Sequence, residues 1–414
     1  MMSLPEVGNL RGLSWDGRLL FSTRIVRMFA YGLLSVILAL YLVEIVGTEQ
    51  VGLVLTLTLL GDAAISLWIT TIADRIGRRR MLIIGAALMI LAGVTFASTT
   101  SFAILVIAAI IGTISPSGNE VGPFLSIEQA ALSQIIPGTQ RTSVFAWYNL
   151  AGSLATATGA LIGGVAAQGL QGAGVSTLDS YRVVLLVYAA LGVLLIVLFS
   201  RVPPTVEVTE RSEASIQSRF GLHQSRSVVL KLSALFTLDA FAGGMVIQSF
   251  LSLWFHQRYG VDEALLGGIF FGANLLAGLS ALAAARVAAR FGLINTMVYT
   301  HIPSNILLIL VPLMPNLPLA IAVLLARFSI SQMDVPARQS YTMAVVAPDE
   351  RSAASGITTI ARSLGAALSQ QLTGQLFAAS LLSWPFFLAG GLKIVYDVLL
   401  YRSFRPVKPP EENN

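Results

Sequence analysis

Cysteine is absent from the 414 residues, so neither disulfides nor thiolate chemistry need be considered. Charge is scarce: Asp, Glu, Lys and Arg make up 11% of the chain, about half the share of an ordinary globular domain. The three histidines, His223, His256 and His301, are too scattered to form a metal-ligand set, and no metal or other cofactor is expected. No glycine-rich phosphate loop occurs, which argues against ATP-driven work. The first seventeen residues are polar, and the apolar run after them is long and carries Arg24 and Arg27. A cleaved signal peptide is therefore not expected.

What is abundant is apolar sequence. Hydrophobic residues reach 55% and mean hydropathy is +0.77. Crossing a bilayer takes roughly 20 mostly apolar residues as helix, and the chain supplies about a dozen such runs. With no water at that depth, only helices or a closed barrel satisfy the backbone. Barrel strands alternate polar and apolar residues, and these runs do not. The expected spans are 19–43, 51–73, 81–99, 103–136, 142–167 and 181–200, then 229–256, 264–286, 294–314, 317–347, 352–380 and 384–401. The fold class is thus an all-α membrane protein of twelve transmembrane helices in two pseudo-symmetric six-helix bundles. The bundles are 1–200 and 229–414, and the polar stretch 201–228, with Pro203, Pro204, Glu207 and Glu210, reads as a cytoplasmic linker.

Basic residues fall in short turns between apolar runs, a membrane-topology signal and not a nucleic-acid one. They gather on the side of both termini, whereas the opposite loops hold only Arg182 and Arg258. Both termini should therefore be cytoplasmic, with the protein multi-pass in the cell membrane. Two copies of one pattern are visible. Asp74-Arg75-Ile76-Gly77-Arg78-Arg79-Arg80 packs five charges into seven residues, and a weaker copy, Ala289-Arg290-Phe291-Gly292, follows 215 residues later. Arg27, Phe29 and Gly32 are likewise echoed by Asp239, Phe241 and Gly244, and the turn before Arg141 by the turn before Arg351.

On these residues the chain resembles a major facilitator superfamily transporter over essentially its whole length. That family's signature after helix 2 runs Gly-x-x-x-Asp-Arg-x-Gly-Arg-Arg. Here Thr70 replaces the leading glycine, and Asp74, Arg75, Gly77, Arg78 and Arg79 are kept. The resemblance implies a cytoplasmic gate of Asp74, Arg75, Gly77, Arg78, Glu128 and Arg351. In it Glu128 pairs with Arg78, while Asp74 sits against the positive end of helix 11. The helix-5 antiporter signature is matched in part by Gly159, Gly163 and Gly164, with Ala160 in place of its proline. Close helix packing is the alternative explanation of those glycines.

Ionisable groups at membrane depth are costly and mark function. Helices 1, 4, 7 and 10, which the resemblance makes cavity-lining, carry Arg27, Glu120, Asp239, Arg327, Asp334 and Arg338. Arg27 and Asp239 are equivalent in the repeats, each about 12 Å from the cytoplasmic end at 1.5 Å per residue. They are expected to face one another as a static or a switching ion pair. The stretches Ser115–Pro123 and Ser331–Arg338 interrupt helices 4 and 10 at matching places, a pointer to a substrate or proton site that includes Asn119. Asp62 is a candidate proton relay or a polar contact. Arg362 is undecided, and Lys393 and Asp397, at i,i+4 spacing, are expected to neutralise each other.

These features point to a secondary transporter, not an enzyme, that moves a small organic molecule by alternating access as a monomer. Its partners are substrate, protons and the bilayer, with no nucleic acid. Proton-coupled export is the first reading. Uptake or exchange of an organic anion against Arg27, Arg327 and Arg338 is the second. A non-transporting receptor or a lipid-handling protein is the alternative from another class.

Overall fold

The computed structural model describes residues 14–136, 141–202, 224–347 and 350–407. Among the described residues there are fifteen α-helices, one short 3-10 turn and no strand. Nine of the described helical stretches are long and apolar enough to cross a membrane, and Phe102–Ile111 and Leu317–Phe328 are shorter apolar helices. In chain order the first are α1 (Trp15–Val46), α2 (Thr48–Ile76), α3 (Arg78–Ser98), α4 (Phe102–Ile111), α5 (Phe124–Ile135), α6 (Arg141–Gly172) and α7 (Thr177–Ser200). They continue as α8 (Arg226–Gly244), α9 (Gln248–Tyr259), α10 (Glu263–Phe291), α11 (Leu293–Leu310), α12 (Leu317–Phe328), α13 (Asp334–Ala344), α14 (Arg351–Ala378) and α15 (Trp384–Phe404).

Three pairs among these, α4 with α5, α8 with α9 and α12 with α13, are each one expected span broken in the middle. The first and third breaks fall where proline, glycine and serine interrupt the apolar pattern, at Gly112–Pro123 and Ser329–Met333. The second, at Met245–Ile247, interrupts a run expected to be a single helix over 229–256. Gly243-Gly244 just before it carries high backbone freedom and ends helix α8 there.

The repeat seen in the sequence recurs in the backbone. Gly77 between α2 and α3 has φ 117°, and Gly292 between α10 and α11 has φ 85°. Side chains rarely adopt such angles, so the glycine kept in both copies of the basic turn is what its geometry needs.

Two compact units emerge. The first comprises residues 1–210 together with 247–275, and the second comprises 211–246 together with 276–414. In the first, α1 lies along α6, α3 along α7 and α2 along α4. In the second, α8 lies along α14 and α11 along α15. Within the first unit α9 is tied down by polar bonds. Gln248 donates to Ser35 Oγ at 2.7 Å, and the Ser249 hydroxyl donates to the carbonyls of Pro116 (2.6 Å) and Ser35 (2.9 Å).

Leu67, Trp68, Ile104, Ile107, Leu186, Val193, Leu279, Leu368 and many other large apolar side chains are exposed. That is an inverted surface for water and the expected one for lipid. The interior instead holds buried Arg, Glu, Asp, Lys and His side chains.

Candidate functional site

In the first unit, Thr23, Arg24 and Arg27 lie within four residues on α1, so their side chains share a face. That face meets the broken fourth span and α6. Arg27 grips Glu128 with two parallel bonds, Nη1 to Oε1 at 2.8 Å and Nη2 to Oε2 at 2.7 Å. Its Nε donates to Glu120 at 2.7 Å. Arg24 donates to the other Glu120 oxygen at 2.8 Å and to Asn149 at 3.3 Å. Glu128 also accepts from the Thr23 hydroxyl at 2.8 Å and from the Tyr148 hydroxyl. Arg24 stacks over the Tyr148 ring and Arg27 over Phe124.

Two arginines and two glutamates therefore neutralise one another in a site where Arg27 and Glu128 have no exposed side-chain surface. Glu120 keeps 13% of its side chain exposed. The break in span 4 is what brings Glu120 here, since it sits in the non-helical stretch before α5. Asn119 next to it is exposed, and its carbonyl accepts from the Ser115 hydroxyl at 2.7 Å. Asp62 on α2 lies beside Ser66 and the backbone of Gly122, toward Glu120.

In the second unit the hub is Asp239 on α8. One oxygen accepts from Lys393 Nζ at 2.6 Å, and the other from Arg338 at 2.9 Å and Arg362 at 3.1 Å. His301 Nε2 stands 4.0 Å from the first oxygen. The opposite ring nitrogen, Nδ1, is 2.8 Å from Asp397, which also accepts from Asn305 at 3.1 Å. Arg338 reaches Asp334 one turn away at 3.2 Å. Three acids thus face three permanent cations, with a histidine between two of the acids.

Several sequence expectations meet a different arrangement. Arg27 and Asp239 were expected to pair; each finds its partners inside its own unit, because a buried charge is costly unless closely bonded groups saturate it. Lys393 and Asp397 interact through their charges without a direct bond: Lys393 bonds Asp239, and Asp397 bonds His301 and Asn305. Glu128 was expected at a peripheral gate beside Arg78; it is fully buried on Arg27, whose guanidinium offers the bidentate fork that a carboxylate matches. Arg78 is buried at the start of α3.

Of the remaining gate residues, Gly77 forms the turn described above, and Arg351 is exposed at the first turn of α14. The side chains of Asp74 and Arg75 lie outside the described residues. Glu350 before α14 is buried and caps the start of α8 by accepting from the backbone N–H groups of Gln224 and Ser225. Arg327 lies over Phe328, and its buried Nε has no hydrogen-bond partner among the described residues.

Gly159, Gly163 and Gly164 are closely covered. A Cβ on Gly159 would collide with the backbone of Phe29, one on Gly163 with Leu33, and one on Gly164 with Glu263. Gly159 and Gly163 therefore press α6 onto α1 at Phe29 and Leu33, and Gly164 presses it onto the start of α10.

Sequence reasoning missed Arg24, Tyr148, Asn149, His301 and Asn305 as members of these clusters. Arg24 carried a signal, being a second arginine inside a span; the others are ordinary polar residues that only packing promotes. Missed too was Glu263, buried at the start of α10, which accepts from Tyr181 and from Gln171 at 3.1 Å. It lines a cavity of about 520 Å³ with Glu44, Gln168, Tyr181 and His256.

Comparison with known proteins agrees with this architecture. The family described as the Major Facilitator Superfamily matches residues 20–370. An uncharacterized membrane protein of Saccharomyces cerevisiae is 30% identical, over 94% of this chain and 93% of its own length. Among solved structures, the nucleoside transporter NupG aligns over 95% of this chain and 100% of its own, with a TM-score of 0.74 at 13% identity. A bacterial homologue of the human lysosomal transporter Spinster, in an inward-facing and unoccupied conformation, aligns over 94% and 95% with a TM-score of 0.68 at 15% identity. The D-xylose-proton symporter aligns over 93% and 97%, with a TM-score of 0.69 at 16% identity.

Proposed function

The chain belongs to the major facilitator superfamily, a family of transporters and not enzymes, and from that premise we propose that it moves a small organic molecule across its membrane by alternating access, coupled to protons. The observation that carries this reading is the pair of buried, charge-balanced clusters on interrupted helices, one around Arg27 and one around Asp239. Static structural polarity has no need of so many ionisable groups at membrane depth, and their cost argues for use. A neutral cluster becomes charged when one acid or His301 takes a proton. The altered cluster must then draw in a counter-charge or rearrange its bonds, which is how protonation biases one conformation over another.

Arg24, Arg27, Glu120 and Asn119 are the candidate substrate and proton groups of the first unit, with Asp62 beside them; Asp239, Asp334 and Arg338 hold that place in the second. Arg327 stays a candidate from sequence. Asp74, Arg75, Gly77, Arg78 and Arg351 are proposed as the cytoplasmic gate, with both termini cytoplasmic and the chain working as a monomer in the cell membrane.

Export in exchange for protons is the direction favoured by the likeness of Gly159, Gly163 and Gly164 to an antiporter signature. A second reading, carriage of an organic anion, is favoured by Arg362, which bonds Asp239 yet keeps 33% of its side chain exposed.

The test is a set of proteoliposomes holding the purified chain and a pH-sensitive dye inside. Candidate compounds that move protons through the wild type, and not through empty vesicles, support coupled transport, and the sign of the proton movement separates exchange from co-transport. Binding without any flux, for compounds and lipids alike, would point to a receptor.

A further inference from the structure

The second unit holds a feature that its charge balance alone does not explain. Asp239 is over-supplied: Lys393, Arg338 and Arg362 all donate to its two oxygens, and His301 waits at 4.0 Å. The cations differ in how they are held. Lys393 and Arg338 are each only 9% exposed, and Arg338 is also anchored on Asp334. Arg362, on α14, is 33% exposed, and Asp239 is its only hydrogen-bond partner among the described residues. It uses one of its five N–H donors there. Arg362 is therefore the least anchored of the three cations on Asp239, with a single bond to it and the most exposed side chain.

His301 is placed to decide when it leaves. The groups around it are Asp397, Lys393 and Tyr396 from α15, Asp239 from α8, Arg338 and Asp334 from α13, and Arg362 from α14 by way of Asp239. Arg327 of α12 lies toward Asp334. Asp239, Asp334 and Asp397 match Lys393, Arg338 and Arg362 in number, so with a neutral imidazole the directly bonded set balances, with Arg327 outside it. A proton on the ring makes both nitrogens donors, one to Asp397 and one toward Asp239. The set is then one charge positive, and Asp239 has a replacement donor.

We infer that His301 and Arg362 form a proton-linked anion site, in which a proton on His301 releases Arg362 from Asp239 and Arg362 takes the carboxylate of the transported molecule. This rests on the proton-coupled reading above and selects its second, anionic-substrate form, with co-transport in place of exchange. Proton and carboxylate neutralise each other at the site, so they bind together and cross in the same direction. Loss of the proton restores Asp239 as the partner of Arg362 and expels the anion.

The probes are sodium benzoate and sodium succinate, with benzamide and succinamide as uncharged controls, added to the purified full-length chain in detergent. Thermal stabilisation is followed from pH ~5 to pH ~8. In the wild type the carboxylates should bind and the amides should not. Binding should tighten toward acid pH, by up to about tenfold per pH unit, the limit for one linked proton.

His301→Gln should still bind benzoate or succinate weakly, with the pH dependence gone. Arg362→Gln should lose at least about tenfold in affinity at every pH, and Arg362→Lys, which keeps the charge, should recover part of it. Carboxylates that bind no better than their amides, or a pH profile unchanged in His301→Gln, would overturn the inference. If the carboxylates fail while another class of compound still drives protons through wild-type proteoliposomes, only this inference falls. If no compound moves protons at all, the coupled-transport reading falls with it.

Discussion

Arg27 and Glu128 hold each other through two parallel bonds of 2.8 and 2.7 Å with no exposed surface on either side chain. Removing one member leaves the other charged, buried and short of partners, at a cost of about 3–5 kcal/mol. Arg27→Met and Glu128→Leu should each lower the unfolding temperature in detergent sharply. The double variant should recover a good part of the loss, because no charge is then stranded opposite the other. Equal destabilisation in the single and double variants would show that the two residues are not energetically coupled.

The second cluster makes a parallel prediction with a functional readout. Asp239→Asn removes the acid that three cations share, and proton movement in proteoliposomes should fall to the empty-vesicle level. Coupling Asp239→Asn with Lys393→Met should restore yield and thermal stability toward the wild type without restoring proton movement. Recovery of both together would make Asp239 a structural residue only.

Helix packing around the first cluster is open to a graded test. Gly159→Ala and Gly163→Ala each put a methyl group into the backbone of α1, and overpacking of this kind costs about 1–3 kcal/mol. Gly169→Ala on the same helix meets nothing within 4 Å and should leave the unfolding temperature nearly unchanged. The order of stabilities among the three variants is the measurement.

The absence of native cysteine gives single-cysteine variants a clean background. Asn119→Cys, at an exposed position in the interrupted fourth span, should react quickly with a water-soluble maleimide. Ser35→Cys, at a position buried under Gln248 and Ser249, should react slowly. Adding Gln248→Ala should speed labelling at residue 35 by loosening α9. No acceleration would mean that this bond does not hold α9 in place.

Much of the fold was legible from composition and spacing. Lipid accepts only helices whose backbone bonds close internally, so the run lengths announced the spans, and most helix ends lie within a few residues of expectation. The glycine kept at 77 and 292 declared the repeat because its φ admits little else. The breaks in spans 4 and 10 showed through their prolines and polar residues. The break at Met245–Ile247 did not, since an apolar sequence with two glycines reads equally well as continuous helix.

Partnerships were the part that sequence could not determine. It placed Arg27, Glu120, Asp239, Asp334 and Arg338 at membrane depth, where each had to find an opposite charge. Which charge, and whether His301 and Arg362 belonged to the same set, depended on the way α8, α11, α13, α14 and α15 turn their faces toward one another. An ion pair lives or fails over a few ångströms of separation, and residues more than a hundred positions apart come within that range only through tertiary packing. The sequence by itself settled that this chain is a helical transporter with charges inside the membrane; the tertiary structure decided that most of those charges gather into two bonded sets, and that one arginine in the second is left partly open.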